Sequence, residues 1–537
     1  MKTKAAMINE RYTNAMSHKY MWGTILQRAY DFTMPNRNQF NHIKYTPGQS
    51  RTEWQYDSTA TIGLRKFASN LQQLMMPAGQ HWLKLSPGKA ITSGKANESP
   101  HQAEQDCQKW EDLYFDMLDR SNFQQALYQS LMEMGISTGV MLITEGTIDN
   151  PFVFTSVPLD QVCLEAGAHQ SVQNVYRYFK VPLEAIQGTW PRAELTPELE
   201  RAMPEDPQRK VEIIEGTIYE PDAEGEDKWC YFVMQKGSDK FLLQEYMSWS
   251  PWLVFRWNLD ADEVYGRGPV IDVLPFIQAL NKLAENDLRA ASYNANPIFL
   301  VASGSEINPY TARIDPGCII PVMPNGISNP PVQQLVIQGQ PNYAQLTRQE
   351  LVEGVNGALN VNPIVPADQG NKTATEISAR QEEWMRSNQA QAGRYEQEIS
   401  APMFNITWHI LGALGLVPKI KPDGKIMDVD YNAPIKDLQG RIEVQKAIEA
   451  SQMINQILGP QYGEYGVLLS MDVTEVGSVV CDKLGVNVDF VRDALSKQKF
   501  LQGAAQAQAA QQQQGAPAQP PMPQGQAAPQ TLNAPQQ

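Results

Sequence analysis

Side chains able to ligate a metal or act as nucleophiles are few in this chain, and they are scattered. The six histidines, His18, His42, His81, His101, His169 and His409, never pair at the spacing that brings two imidazoles to one ion. The five cysteines, Cys107, Cys163, Cys230, Cys318 and Cys481, are far apart and odd in number. That is the pattern of reduced thiols in a cytosolic compartment, not of a disulfide frame or a zinc site. Asp260-Ala-Asp262-Glu263 and Asp428-Val-Asp430 hold enough carboxylates to start a divalent-cation site, although solvated loops explain them more simply. Gly88 to Lys95 nearly matches a phosphate loop. Five residues separate its glycines where four are needed, Ala96 replaces the magnesium-binding hydroxyl, and no strand precedes it. Gly266-Arg-Gly268 lacks the third glycine and the βαβ context of a dinucleotide site. No Gly-x-Ser-x-Gly elbow occurs. The residues thus give no positive sign of an enzyme, of a cofactor or of a metal.

The bulk composition describes a large soluble protein. A length of 537 residues suffices for two to four domains, and 42% hydrophobic with 19% charged residues is globular usage. No apolar run reaches the length of a membrane span, and the first residues lack the apolar core of a signal peptide. The formal net charge is −15. Proteins that grip nucleic acid are usually basic, so any contact with DNA should be weak or have repulsion built in.

Periodicity sets out the elements that would carry function. Helices are expected over 8–32, 57–76, 102–119 and 122–134, with a Gly-, Ser-, Lys- and Pro-rich loop at 86–101. In the second helix Ile62, Leu64, Phe67, Leu71, Leu74 and Met75 form the expected stripe. Strand signals follow at 140–144, 152–157, 174–181, 211–219, 229–235 and 252–257, so the first half reads as α+β with antiparallel strands. Met75, Met76, Trp82, Trp110 and Trp384 are expected to fill core or subunit contacts.

Residues 266–297 form a capped helical segment. Pro269 suits a first helical position, and Asn294, Asn296 and Pro297 supply the stop. Val270, Ile277, Ala284 and Ala291 recur every seven residues, with Val273 and Leu280 between them. This makes a narrow apolar stripe on a helix of roughly 35–40 Å. The other faces read as polar and wet, with Gln278, Asn281 and Asn286, and Pro275 predicts a kink or a later start. Such a helix could pack against copies of itself; taken alone, this stretch is better explained as an ordinary amphipathic helix of a large domain.

Residues 296–342 hold eight prolines, four glycines and only three charges, Glu306, Arg313 and Asp315. Phe299-Leu300-Val301 and Cys318-Ile319-Ile320 read there as short strands. A charge-poor β module of this kind covers either a partner or its own chain. A helix over 343–359 precedes the loop 360–372, and the capping box Thr373-Ala-Thr-Glu376 starts a long helix that Pro402 should kink and Gly415 and Pro418 should end. Helices are also expected at 434–458 and 488–501, and the uncharged Gln-, Ala- and Pro-rich residues 502–537 are expected to be disordered.

The ordered set of stretches resembles the portal, or head-to-tail connector, proteins of short-tailed bacteriophages. It comprises Tyr30-Asp-Phe-Thr-Met-Pro35, Tyr56-Asp-Ser-Thr-Ala60, Leu74-Met-Met-Pro77 before Trp82, Phe123-Gln-Gln-Ala-Leu-Tyr128, Gly135-Ile-Ser-Thr-Gly139, Gly266-Arg-Gly-Pro269 and Thr373-Ala-Thr-Glu-Ile377, with a Gln-rich end. The resemblance covers about residues 8–500. It implies a portal fold: wing (1–265), stem helix (266–295), clip (296–342), second stem helix (343–359), tunnel loop (360–373), wing helix and return (374–429), helical crown (430–501) and tail (502–537). It further implies a ring, twelve copies in similar proteins, at one capsid vertex of the virion and assembled in the host cytoplasm. The implied partners are double-stranded DNA, terminase, capsid and scaffolding protein, tail adaptor and internal core proteins, with no membrane. On this layout Gln369, Asn371 and Lys372 would touch passing phosphates, Val270, Ile277, Ala284 and Ala291 would line the subunit interface, and Glu306, Arg313 and Asp315 would mark the docking surface of the clip. The competing readings are another virion structural protein, such as a capsid or tail-tube subunit, or a metal-dependent nucleic-acid enzyme using the acidic loops.

Overall fold

The computed structural model describes residues 3–37, 40, 52–89, 100–167, 171–221, 228–295, 299–302, 319–322, 332–334, 341–359, 389–418, 427–431, 449–454 and 456. The chain divides into two compact units, Met1–Gln439 and Gly440–Gln537. The described residues of the second unit, 449–454 and 456, are helical.

The first unit opens with a thirty-residue helix, α1 (Lys4–Thr33), whose start is capped by Thr3: its Oγ1 accepts the Ala6 N–H at 3.3 Å. Ala5, Ile8, Tyr12 and Ala15 recur every three to four residues and so share one face. That face packs on Cys163, Tyr176, Ile214, Ile218, Phe232 and Met234. In α2 (Thr59–Met75) Asp57 Oδ1 takes the Thr59 N–H at 2.8 Å, and Leu64, Phe67, Leu71 and Met75 turn inward. Ile62, expected in that stripe, is 49% exposed; two residues from Leu64, it lies about 200° round the helix from it.

After the short strand β1 (Lys84–Pro87) come α3 (Pro100–Arg120) and α4 (Phe123–Ile136), and α4 runs almost directly into β2 (Thr138–Glu145). β3 (Phe152–Ser156) pairs with β2. A 3₁₀ turn at Leu159–Gln161 leads to β4 (Val162–Ala166) and β5 (Val172–Pro182), followed by two short helices, α5 (Leu183–Thr189) and α6 (Pro197–Ala202). Then come β6 (Lys210–Tyr219), β7 (Trp229–Gln235), β8 (Phe241–Met247) and β9 (Trp252–Arg256). β4 to β8 form one antiparallel sheet in sequence order, and β3, β2 and β9 form a second. All six strands expected from sequence in the first half form, and they are antiparallel; β1, β4 and β8 are additions there.

Strand side chains alternate across the sheet. Ile214, Ile218, Phe232 and Met234 face α1, while Ile213, Tyr231 and Val233 pack with Leu183, Ile186, Trp190 and Leu199 on the other side. The two sheets are joined by Trp252, whose Nε1–H donates to Thr217 Oγ1 at 3.1 Å.

α7 (Pro269–Asp272) and α8 (Leu274–Ala295) are separate helices meeting at Val273, so the proline at 275 marks a later start. β10 (Phe299–Ala302) runs parallel to β11 (Ile319–Val322) and antiparallel to β12 (Val332–Gln334). α9 (Pro341–Ala358) packs against α8 and α2. α10 (Gln389–Tyr395) continues through a π-helical turn, Glu396–Ser400, into α11 (Ala401–Ala413). Pro402, where a kink is expected, lies two residues past the end of that turn; a proline has no N–H for the α-helical ladder. Glu398 on the turn accepts the Arg256 backbone N–H at 2.8 Å and its Nη2 at 2.7 Å, pinning the turn to β9. Gly415, at φ +75°, ends α11, and β13 (Met427–Asp430) returns to pair antiparallel with β1.

Candidate functional site

The clusters that could have done chemistry have structural partners. Asp260 and Glu263 are held by one arginine: Arg267 Nε lies 2.9 Å from Asp260 Oδ2, and its Nη2 lies 2.7 Å from Glu263 Oε1. Asp428 and Asp430 belong to β13, opposite Ser86 and Lys84. They form a strand edge where a solvated loop was expected. Gly266 donates its N–H to Thr138 Oγ1 at 2.9 Å, and its carbonyl accepts from Ser137 Oγ at 2.7 Å. A Cβ at position 268 would lie 2.2 Å from the Gly135 carbonyl oxygen, so close backbone approach requires that glycine. His81 stacks on Phe115 at 4.3 Å with Nδ1 2.9 Å from Glu111, whose carboxylate raises its pKa; His409 stacks on Trp249 at 4.8 Å. Cys107, Cys163 and Cys230 are buried free thiols, and burial pushes Cys107 up to about 11, which suppresses the nucleophilic thiolate. Among the described residues no group of His, Cys, Asp and Glu is placed to hold a metal ion, and no helix is long and apolar enough to cross a membrane. Cys318, Cys481 and most of the near phosphate loop lie outside the described residues.

The stripe expected to line an interface lies on α7 and α8. Val270 on α7 and Ile277 and Ala284 on α8 are buried by this chain itself, at 0%, 4% and 4% exposure, with Leu274 and Leu280 beside them. Ala291, the fourth residue of the expected interface stripe, is exposed. Leu288 stands four residues beyond Ala284 on the same face and is 57% exposed. The apolar stripe therefore outruns its own cover by about two turns.

Asn281 corrects the expectation of a uniformly wet polar surface. It is 9% exposed; its Oδ1 accepts the N–H groups of Tyr56 at 2.7 Å and Asp57 at 3.2 Å, and its Nδ2 donates to the Trp54 carbonyl at 3.1 Å. Placement four residues after Ile277 and next to Leu280 was the available signal, since it sets Asn281 on the inward face. Arg348 of α9 reaches Asp57 at 3.4 Å, so both long helices are tied to the segment leading into α2. On one side of α8, α9 closes in: a Cβ at Gly354 would lie 3.1 Å from the Phe276 ring. On the other, Glu285 receives Lys282 Nζ at 2.9 Å and Arg289 Nη2 at 2.6 Å, and both basic side chains are about two-thirds exposed.

The remaining residues singled out by sequence, Gln369, Asn371 and Lys372 of the loop and Glu306, Arg313 and Asp315 of the charge-poor module, lie outside the described residues, as does Trp384. Met75, Met76 and Trp82 are in the core, and Trp110 meets Trp408 at 6.5 Å.

The model of the bacteriophage head to tail connecting protein family matches residues 5–491. A probable portal protein of Bordetella phage BPP-1 is 20% identical over 95% of this chain and 93% of its own length. Among solved structures, a chain from the virion of a native gene transfer agent particle is 10% identical, covering 83% of this chain and 99% of that one, with a TM-score of 0.35. A chain from the neck of an empty gene transfer agent particle is 9% identical, covering 82% and 96%, also at 0.35. Overlap at that TM-score does not define a shared fold. The family match spans nearly the whole polypeptide: the chain belongs to the bacteriophage head to tail connecting protein family, and joining head to tail in the phage virion is its function.

Proposed function

We propose that this chain is a portal subunit: twelve copies close into a ring at one capsid vertex, and double-stranded DNA passes through the ring during packaging and ejection. Terminase docks on it first and the tail adaptor later. α8 and α9 form the stem in this reading, and the α+β region before them forms the wing.

The observation that carries the proposal is the apolar stripe of α8, which continues through Leu288 and Ala291 after the chain's own cover ends. Exposed apolar residues in register with a buried stripe call for a neighbour, and a second copy presents the same helix. The name of the Bordetella phage relative, matched along nearly its whole length, supports the same reading. So does charge: twelve copies at −15 carry about −180, which disfavours DNA adhering to a channel wall.

Negative-stain microscopy of the purified full chain is the direct test. The expected result is rings of about twelve subunits with a central hole. Compact single particles without a pore, at every salt and protein concentration tried, would overturn it.

A further inference from the structure

The charged flank of α8 carries a consequence for how a polyanion would move past it. Lys282 and Arg289 are the basic residues of this helix, with side chains 64% and 65% exposed. Both point their charge at Glu285, which lies between them in sequence and is only 14% exposed, because the two cations close over it. The spacings are three and four residues, so all three groups stand on one face. Glu285 precedes Arg289 by one turn, the favoured orientation for such a pair, and its hydrogen bond from Lys282 holds its pKa below the ordinary carboxylate range. This flank faces away from α9, which packs at Phe276, and away from the stripe of Ile277 and Ala284. Both basic side chains are about two-thirds exposed there.

We infer that Glu285 is a built-in competitor for phosphate: it occupies Lys282 and Arg289 so that α8 can lie against double-stranded DNA without gripping it. The inference rests on the ring reading above. The ligand chemistry is the phosphodiester backbone, contacted without regard to sequence. An unpaired arginine makes charge-assisted, often bidentate bonds to phosphate, and lysine is a strong point-charge partner. One such pair is weak, but a ring repeats it in every subunit, and many weak contacts on one polymer multiply into retention. With Glu285 in place the three groups sum to +1 per copy, and each phosphate contact must first displace a carboxylate at 2.6 or 2.9 Å. Without it the flank carries +2 and both cations are free.

The test uses full-chain rings of wild type, E285Q and the triple variant K282Q/E285Q/R289Q, with linear double-stranded DNA as the probe. Light scattering first establishes that all three form rings of equal size. Binding is then measured across roughly 50–300 mM salt, with polyglutamate of equal total charge as competitor. Expected is at least about tenfold tighter DNA retention by E285Q at low salt, with a steeper fall in log affinity against log salt, of about 0.9 for each phosphate newly engaged. The triple variant should return to the wild-type level or below. E285Q rings with wild-type affinity and slope would overturn the inference and leave the ring reading standing. Preferential capture of polyglutamate over DNA by E285Q would overturn it in favour of an acidic protein partner. Wild type that forms no ring would instead sink the ring reading.

Discussion

The two halves of α8 live in different surroundings. From Leu274 to Ala284 the inward face is covered by the chain that made it, with Ile277, Leu280 and Ala284 each under 5% exposed. From Asn286 to Ala295 the same stripe runs on into solvent, with Leu288 and Ala291 bare. One heptad-like pattern therefore folds the chain in its first half and, in the ring proposed above, would serve association in its second. A seven-residue repeat does not say where the first role stops; only the position of the covering segments, residues 54–57 and the helices around them, does.

That contrast can be broken by substitution. The largest effect belongs to Ala284→Glu, which places an unpaired carboxylate in a closed contact at a cost on the order of 3 kcal/mol or more. Soluble expression or the thermal transition should collapse. Leu288→Glu, one turn on, should leave the monomer's melting within about 0.5 kcal/mol of wild type and abolish rings. If Leu288→Glu still assembles, or if Ala284→Glu folds normally, the division between the two halves is misplaced. Asn281→Ala tests the covered half more gently. It strands the Tyr56 and Asp57 N–H groups and the Trp54 carbonyl, at about 1–3 kcal/mol, read as a lower denaturant midpoint.

A further effect is expected away from α8 and depends on pH. Glu133 on α4 is fully buried; desolvation and the nearby Asp160 push its carboxyl well above 4.5, although Lys19 opposes this and Arg37 Nε lies 3.5 Å away. The folded protein thus binds that proton more tightly than the unfolded chain. The stabilisation is complete below about pH 4.5 and is lost as pH rises through the folded value. Glu133→Gln should therefore gain on wild type as pH increases, by up to about 1.4 kcal/mol for each pH unit crossed between the unfolded and folded values. Melting curves of the two that stay parallel between about pH 5 and 8 would show that Glu133 is ionised in the fold.

What sequence revealed follows the strength of local signals. β6 and β7 were legible because runs such as Val-Glu-Ile-Ile and Trp-Cys-Tyr-Phe-Val-Met are dense in β-branched and aromatic residues. β8 is an edge strand with Gln244 and Glu245 in it, and β4 is only five residues long, so neither stood out. β13, Met-Asp-Val-Asp, read as a solvated loop because its pairing partner, β1, lies more than three hundred residues earlier. Sequence distance also hid Asn281: its three backbone partners come from residues 54–57, 224 to 227 positions earlier, which nothing in the local pattern of α8 connects to it. The surface proposed for assembly was half visible. The stripe was plain, but its partition between own chain and neighbour is a property of tertiary contacts.

The N-terminal helix has a schedule imposed on it. Lys4 is fastened to Glu220 at 2.7 Å and to Tyr246 at 2.7 Å, and the face carrying Ile8 and Tyr12 rests on strands that end beyond residue 230. Those partners leave the ribosome some 240 residues after α1 does, which at ordinary elongation rates is on the order of ten to fifty seconds. Over that interval the face carrying Ile8 and Tyr12 lacks the strands that cover it in the fold.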